Sequence, residues 1–212
     1  MPRLVHRFFP NRIWAFSRSK KHIYLTFDDG PDEEITPWIL DLLDRHRAKA
    51  TFFCVGENVR NHPDILKRIA DEGHSIGNHT YNHVNGINTD SSFYFQNTLK
   101  AQKELEFIIS KEKLLSNRVS KLLFRPPYGR IKKDQAKRIE KFGYKIVMWE
   151  IISYDYDKTV TSEECLQNVL NNVRNGSVVV FHDSKKAEKN LKYVLPKLLK
   201  DLTGKGFQFT KI

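Results

Sequence analysis

The chain has 212 residues, 40% of them apolar, and a formal net charge of +11. That length and composition suit one folded domain with a sizeable core and exclude a disordered chain; no apolar run approaches the ~18 residues of a membrane span. The positive balance fits an anionic partner such as an acidic glycan or a membrane surface, but no nucleic-acid motif accompanies it, and runs such as Lys132-Lys133 and Lys185 to Lys200 read as solvated helix faces.

Residues 1–20 form a basic lead-in carrying Phe8, Phe9, Trp14 and Phe16. Arg3, Arg7, Asn11 and Arg12 interrupt these aromatics, so the ~7–15-residue apolar core of a secretory signal is not visible. The aromatics are expected to pack under the domain that fills residues 21–212, with anchoring on a membrane surface as the alternative. Ile23 to Phe27 predicts a first strand, followed by a helix face of Ile35, Ile39, Leu42 and Leu43. Thr51 to Val55 is continuously apolar, as in a strand buried on both sides of a parallel sheet, and Cys54 within it reads as a buried reduced thiol. A helix through Ile65, Leu66 and Ile69 stops at Gly73, and a short strand, His74 to Gly77, follows.

After a polar loop at 84–91, a longer helix carries Phe95, Leu99, Leu105, Ile108 and Ile109. Leu122 to Phe124 is a short strand, Ala136, Ile139 and Phe142 a helix face, and Tyr144 to Trp149 the next strand. Glu150 to Val160 reads as a loop. Thr161 to Glu164 has the form of a capping box, opening a helix through Cys165, Leu166, Val169, Leu170 and Val173. Ser177 to Phe181 is a nearly pure β-branched strand; Leu191 to Leu202 predicts the last helix and Phe207 to Thr210 a final strand. About seven strands alternating with six helices imply a parallel sheet with helices outside. The length is short for eight units, so the expected fold is α/β, a distorted (β/α)7-type barrel.

The polar motifs follow the strands. Asp28-Asp29-Gly30-Pro31 ends the first, His79 and His83 follow the third, and Arg125 to Tyr128 follow the fourth. Asp155 follows the Tyr144 strand, and His182-Asp183 ends the Ser177 strand. In parallel α/β folds these strand ends share one face, so the clusters should converge there. Asp-Gly-Pro alone is also ordinary turn chemistry, and His79-x-x-x-His83 alone also describes two surface histidines. Together, one aspartate and two histidines leave a divalent ion with open positions for water and substrate. Asp29 is then expected as the ligand and Asp28 as the base, because adjacent side chains in an extended segment point apart. Arg125 is expected to fix the Asp28 carboxylate. Pro126 and Pro127 lack a backbone N–H, which makes the Tyr128 N–H the candidate oxyanion donor. His182 is the candidate acid, with Asp155 holding its imidazolium.

These stretches resemble the motifs of the polysaccharide deacetylases, the carbohydrate esterase family four or NodB-homology domain. They stand here as Thr-Phe-Asp-Asp-Gly-Pro (26–31), His-Thr-Tyr-Asn-His (79–83), Arg-Pro-Pro-Tyr-Gly (125–129), the Trp149 to Tyr156 segment and Val-Phe-His-Asp (180–183). The resemblance spans about residues 21–212. It implies a distorted barrel, a divalent metal held by Asp29, His79 and His83 (zinc, or else cobalt or nickel), and hydrolysis of acetyl groups on sugars. Asp28, His182, Arg125 and Asp155 resemble the catalytic set, and Pro127, Tyr128, Trp149, Tyr156 and Val180 the substrate-binding wall. Tyr156 stands where the family usually has Trp, Ile152 where it has an acid, and Val180 where it has Leu.

The expected activity is therefore metal-dependent release of acetate from an N-acetylated glycan of peptidoglycan or chitooligosaccharide type. The alternatives are an O-acetyl esterase on the same scaffold and a catalytically silent glycan binder. Family substrates usually belong to the cell envelope, whereas the absence of a visible export signal reads as cytoplasmic, so location stays open, as does oligomeric state.

Overall fold

The computed structural model describes residues 8–115, 117 and 121–212. The strands are β1 (His22–Asp28), β2 (Thr51–Cys54), β3 (Ser75–Asn78), β4 (Leu122–Phe124), β5 (Tyr144–Ile146), β6 (Ile151–Ile152), β7 (Val178–His182) and β8 (Gln208–Phe209). The α-helices are α1 (Ile35–Arg45), α2 (Gly56–Asn61), α3 (Pro63–Asp71), α4 (Ser91–Ile108), α5 (Lys111–Leu115), α6 (Lys133–Lys141), α7 (Ser162–Asn172) and α8 (Glu188–Gly204). None among the described residues is long and apolar enough to cross a membrane.

The sheet runs β5-β4-β3-β2-β1-β7-β6, with β8 added at the start of β1, and every pairing is parallel. The seven strands of that path curl into a half-barrel with helices around it, the distorted (β/α) barrel expected from the strand pattern. The continuous apolar runs are buried as a parallel sheet requires: Phe27 stacks on Phe52 at 5.1 Å and on Phe181 at 6.2 Å between ring centroids. Outside, α1 buries Ile39 and Leu43 and α8 buries Leu195, Leu198 and Leu202. The capping box of α7 forms as predicted: the Glu164 N–H donates to Thr161 Oγ1 at 3.2 Å, and the Thr161 N–H to Glu164 Oε2 at 2.8 Å.

The barrel is open between β5 and β6, the two ends of the path. There the structure departs from the strand expected over Tyr144 to Trp149. β5 stops at Ile146, and β6 restarts inside the stretch expected as loop. The reason is competition for backbone: the Met148 N–H donates to the Ile13 carbonyl (2.7 Å), and the Val147 and Met148 carbonyls accept from a buried arginine described below. The lead-in thus reaches across the seam. Ile13 bridges to Val147 and Ala15 to Ser177, Trp14 is buried between them, and Phe16 stacks on Tyr24 at 4.1 Å. Phe8 and Phe9 are exposed, and the first seven residues of the lead-in lie outside the described ones.

Register brings the motifs together. Asp28 pairs with His182 across β1 and β7 and with Phe53 across β1 and β2. Asn78, just before His79, pairs with Phe124, just before Arg125. The strand-end clusters therefore stand at one level on one face.

Candidate active site

Asp28 and Asp29 leave β1 in different directions, as expected, but by a sharper device than strand alternation. Asp29 is left-handed, with φ of 87°. Of the six non-glycine residues at positive φ among the described residues, five (Asp29, Thr80, His83, Tyr128 and Tyr154) sit in loops at the C-terminal ends of strands, where strained backbone clusters at functional sites. The Asp29 carbonyl is fixed by Asn58 Nδ2 at 2.8 Å. The next residue, Gly30, has no room for a side chain, because a Cβ there would lie 1.9 Å from Asp183 Oδ2. Asp183 takes the Gly30 N–H at 2.9 Å and the Thr36 hydroxyl at 2.7 Å, so it anchors the turn that presents Asp29. It is fully buried, and burial pushes its carboxyl up to about 8.

The Asp28 carboxylate is held by Arg125, whose Nη1 donates to Oδ1 at 2.6 Å with both side chains buried. The same guanidinium donates to Thr26 Oγ1 (2.7 Å) and to the carbonyls of Val147 (3.2 Å) and Met148 (2.8 Å), and stacks on Phe53 at 4.1 Å. Its hydrogen-bonding geometry is thus over-determined, and a lysine ammonium could not reproduce it.

His79 and His83 do not use helical spacing. Residues 79–83 are a loop, and left-handed Thr80 and His83 bring the two rings to 5.0 Å. Asp29 Oδ1 lies 3.2 Å from His83 Nε2 and 3.7 Å from His79 Nε2. The three donor atoms fall within 4.8 Å of one another, a set that could hold a metal ion. The donor chemistry fits. His79 Nδ1 lies 2.7 Å from the Arg125 carbonyl, which fixes the proton there and leaves Nε2 as a lone-pair donor. Burial lowers the His79 pKa to about 4, so the ring is neutral near pH 7. Burial alone would raise the Asp29 carboxyl, but the hydrogen bond from His83 and the neighbouring imidazoles outweigh it and hold the group below the ordinary carboxylate range.

Across the cavity, Asp155 grips His182 twice. Its Oδ2 accepts the His182 backbone N–H and its Oδ1 the ring Nδ1–H, each at 2.7 Å. Burial disfavours the charged ring, but the Asp155 charge and hydrogen bond dominate and raise the pKa to about 9. Asn190 Nδ2 in turn donates to the Asp155 carbonyl at 3.1 Å.

The cavity between these groups has a volume of about 400 Å³. Asp28, Asp29, His79, His83, Tyr128, Trp149, Tyr156, Val180 and His182 line it, all of them expected from the sequence. Arg125 and Asp155 stand behind Asp28 and His182. Pro127 is buried and does not line the cavity; it opens the short turn that sets Tyr128 at φ of 59°. Among the described residues the Tyr128 N–H has no protein acceptor. Sequence reasoning missed Asn85, Arg130 and Lys186 on the wall, whereas Ile152, singled out as a departure from the family pattern, lines it. Lys186 follows His182 by four residues, a spacing that could have singled it out.

A cavity of this kind at the C-terminal end of a parallel half-barrel is the architecture of a hydrolytic enzyme. A family model described as polysaccharide deacetylase matches residues 16–147. A peptidoglycan-N-acetylglucosamine deacetylase of Bacillus cereus is 39% identical over 202 residues, covering 94% of this chain and 70% of that protein. Chitin deacetylase 2 of Saccharomyces cerevisiae is 35% identical over 182 residues, 83% of this chain and 54% of that one. The crystal structure of a peptidoglycan N-acetylglucosamine deacetylase, in complex with 4-naphthalen-1-yl-N-oxidanyl-benzamide, superposes with a TM-score of 0.85 at 36% identity, covering 95% and 91% of the two chains. The chain belongs to the polysaccharide deacetylase family and is a hydrolase of that class.

Proposed function

We propose that the protein removes N-acetyl groups from a glycan built on N-acetylglucosamine, with a divalent ion, zinc in preference to cobalt or nickel. The observation that carries this reading is the split of the carboxylate pair, Asp28 tied to Arg125 and Asp29 turned toward two imidazoles. Asp29, His79 and His83 would hold the ion, a nitrogen and oxygen donor set suited to zinc. When bound, it polarises the acetyl carbonyl and makes water more acidic.

The remaining work falls to this chain's own groups. Asp28 accepts the proton of the water that adds to the carbonyl carbon. The Tyr128 N–H donates to the carbonyl oxygen as charge develops there. His182, kept protonated by Asp155, gives its proton to the nitrogen as the carbon–nitrogen bond breaks, so acetate and a free amine leave. Trp149, Tyr156, Val180 and Ile152 shape the wall around the acetyl group and its sugar.

The test is acetate release from N-acetylglucosamine oligomers and peptidoglycan fragments, with zinc, cobalt or chelator, and from acetyl-xylan. Asp28→Asn should cost ~10²–10⁴-fold in rate on the N-acetyl sugars. Full activity in that variant would sink the mechanism. Faster release from acetyl-xylan would favour the esterase, and metal binding without turnover on any substrate the silent binder.

A further inference from the structure

A second cavity of about 590 Å³ adjoins the catalytic one, and Lys186 lines both. We propose that Lys186, Lys158 and Lys189 form a subsite for a carboxylate carried on the sugar next to the one being deacetylated. This rests on the deacetylase reading above and narrows it to acidic glycans, in which an N-acetylated sugar alternates with one bearing a carboxylate.

Four lysines line the second cavity: Lys158, Lys185, Lys186 and Lys189. Lys185 is taken by an ion pair with Glu34. Two acids of the cavity have cationic partners, Asp155 with His182 and Glu188 with Lys192 at 2.6 Å; Asp157, held by the Thr159 N–H (2.9 Å) and hydroxyl (2.6 Å), keeps its charge and offsets one lysine, which leaves positive charge in excess. Lys158, Lys186 and Lys189 remain exposed and without an ion pair among the described residues. Three ammonium groups of one sign around a concave wall repel one another, and an anion between them relieves that repulsion.

Geometry places this anion beside the reaction. The Lys186 ammonium lies 5.2 Å from the centre of the Tyr156 ring, and that ring meets the His182 imidazole edge-on at 4.8 Å. The subsite therefore begins one aromatic ring away from the proposed acid, on the β7 flank of the cavity. On the opposite flank Arg130, following β4, also lines the catalytic cavity without an ion pair among the described residues. Strands β3, β2 and β1 separate these two cations in the sheet. A chain crossing the site meets a positive charge on either side of the scissile acetyl group, which a neutral glycan cannot use.

The experiment compares three tetrasaccharides: N-acetylglucosamine alternating with N-acetylmuramic acid, the same sugar with its carboxylates converted to methyl esters, and neutral chitotetraose. Each is tested with the wild-type protein, Lys186→Gln, the double variant Lys158→Gln/Lys189→Gln, and the triple variant that combines them. The wild type should prefer the free carboxylate over its methyl ester in kcat/KM, and the preference should shrink at ~0.5 M salt. Each variant should lower that preference, with both together reducing it on the order of tenfold. Absence of a preference in the wild type, or equal losses on all three sugars, would overturn the proposal. Should no sugar release acetate, the same panel is read by titration calorimetry. Tighter binding of the free carboxylate, lost in the lysine variants, then supports the subsite while the deacetylase reading fails; equal affinities overturn the subsite.

Discussion

The Asp155–His182 pair makes the sharpest prediction about catalysis. Asp155→Asn keeps an oxygen near the ring but removes the charge and one of the two acceptors that now hold the His182 N–H and Nδ1–H. The ring's pKa stands at about 9 against an ordinary 6.5. At ~1.36 kcal/mol per tenfold, that difference is roughly 3 kcal/mol in favour of the charged ring. Burial opposes the charge while Asp29 and Asp28 still favour it, so removing Asp155 should bring the pKa back toward 6.5. Near pH 7.5 the wild-type ring is almost wholly protonated, whereas the variant's is ~10% protonated. The assay is kcat/KM for acetate release from pH 6 to 10. The wild-type rate should fall as pH rises through about 9. In the variant this basic limb should move down toward pH 6.5, with a loss at pH 7.5 on the order of tenfold. The same pair has a signature in stability. Its folded pKa is raised, so its contribution is fully present below about pH 6.5 and lost as pH rises through about 9. The wild-type thermal midpoint should therefore drop over that range more than the variant's. A folded Asp155→Asn protein with an unmoved basic limb would refute the assignment.

His83→Ala removes a partly exposed donor, so it should fold normally, yet zinc retained after gel filtration, read by elemental analysis, should fall well below one equivalent. Chelator treatment of the wild type should abolish acetate release and added zinc restore it; unchanged activity after verified metal removal would count against the metal role. Asp28→Asn leaves the fully buried Arg125 without its counter-charge. Urea denaturation should show a loss of ~3–5 kcal/mol, toward the lower end because Thr26, Val147 and Met148 still accept from the guanidinium. Gly30→Ala drives a methyl group into Asp183, at a cost of ~1–3 kcal/mol, and the displaced turn should weaken zinc binding as well.

The strands were legible where burial is two-sided: β1, β2 and β7 are nearly pure apolar runs, and the sequence reading bounded them to within a residue or two. The site was legible for a related reason, because polar residues at the ends of such runs must share the barrel's C-terminal face. What sequence could not show was set by loop backbone. The imidazoles converge through left-handed Thr80 and His83, a conformation that no side-chain period encodes. The β5–β6 break depends on Ile13 and Arg125 capturing the backbone of residues 147–148, contacts made far from the stretch itself. Lys186 lay within a run that periodicity assigns to solvent. Only the placement of β7 beside β1 shows that this end of the run faces the cavity.

Arg125 has a consequence for assembly. Its four acceptors lie on β1 and on the crossing between β5 and β6, at sequence separations of 97, 99, 22 and 23 residues. No fragment that lacks β1 or residues 147–148 can satisfy it. The proposed base is thus oriented only once chain segments about half the protein apart have met, so acquiring a competent carboxylate and docking the 147–148 segment beside β1 are one event. A partly folded chain carries an unquenched guanidinium in its interior, a penalty that disfavours intermediates and sharpens the transition. The residue that readies the site also proofreads the architecture around it.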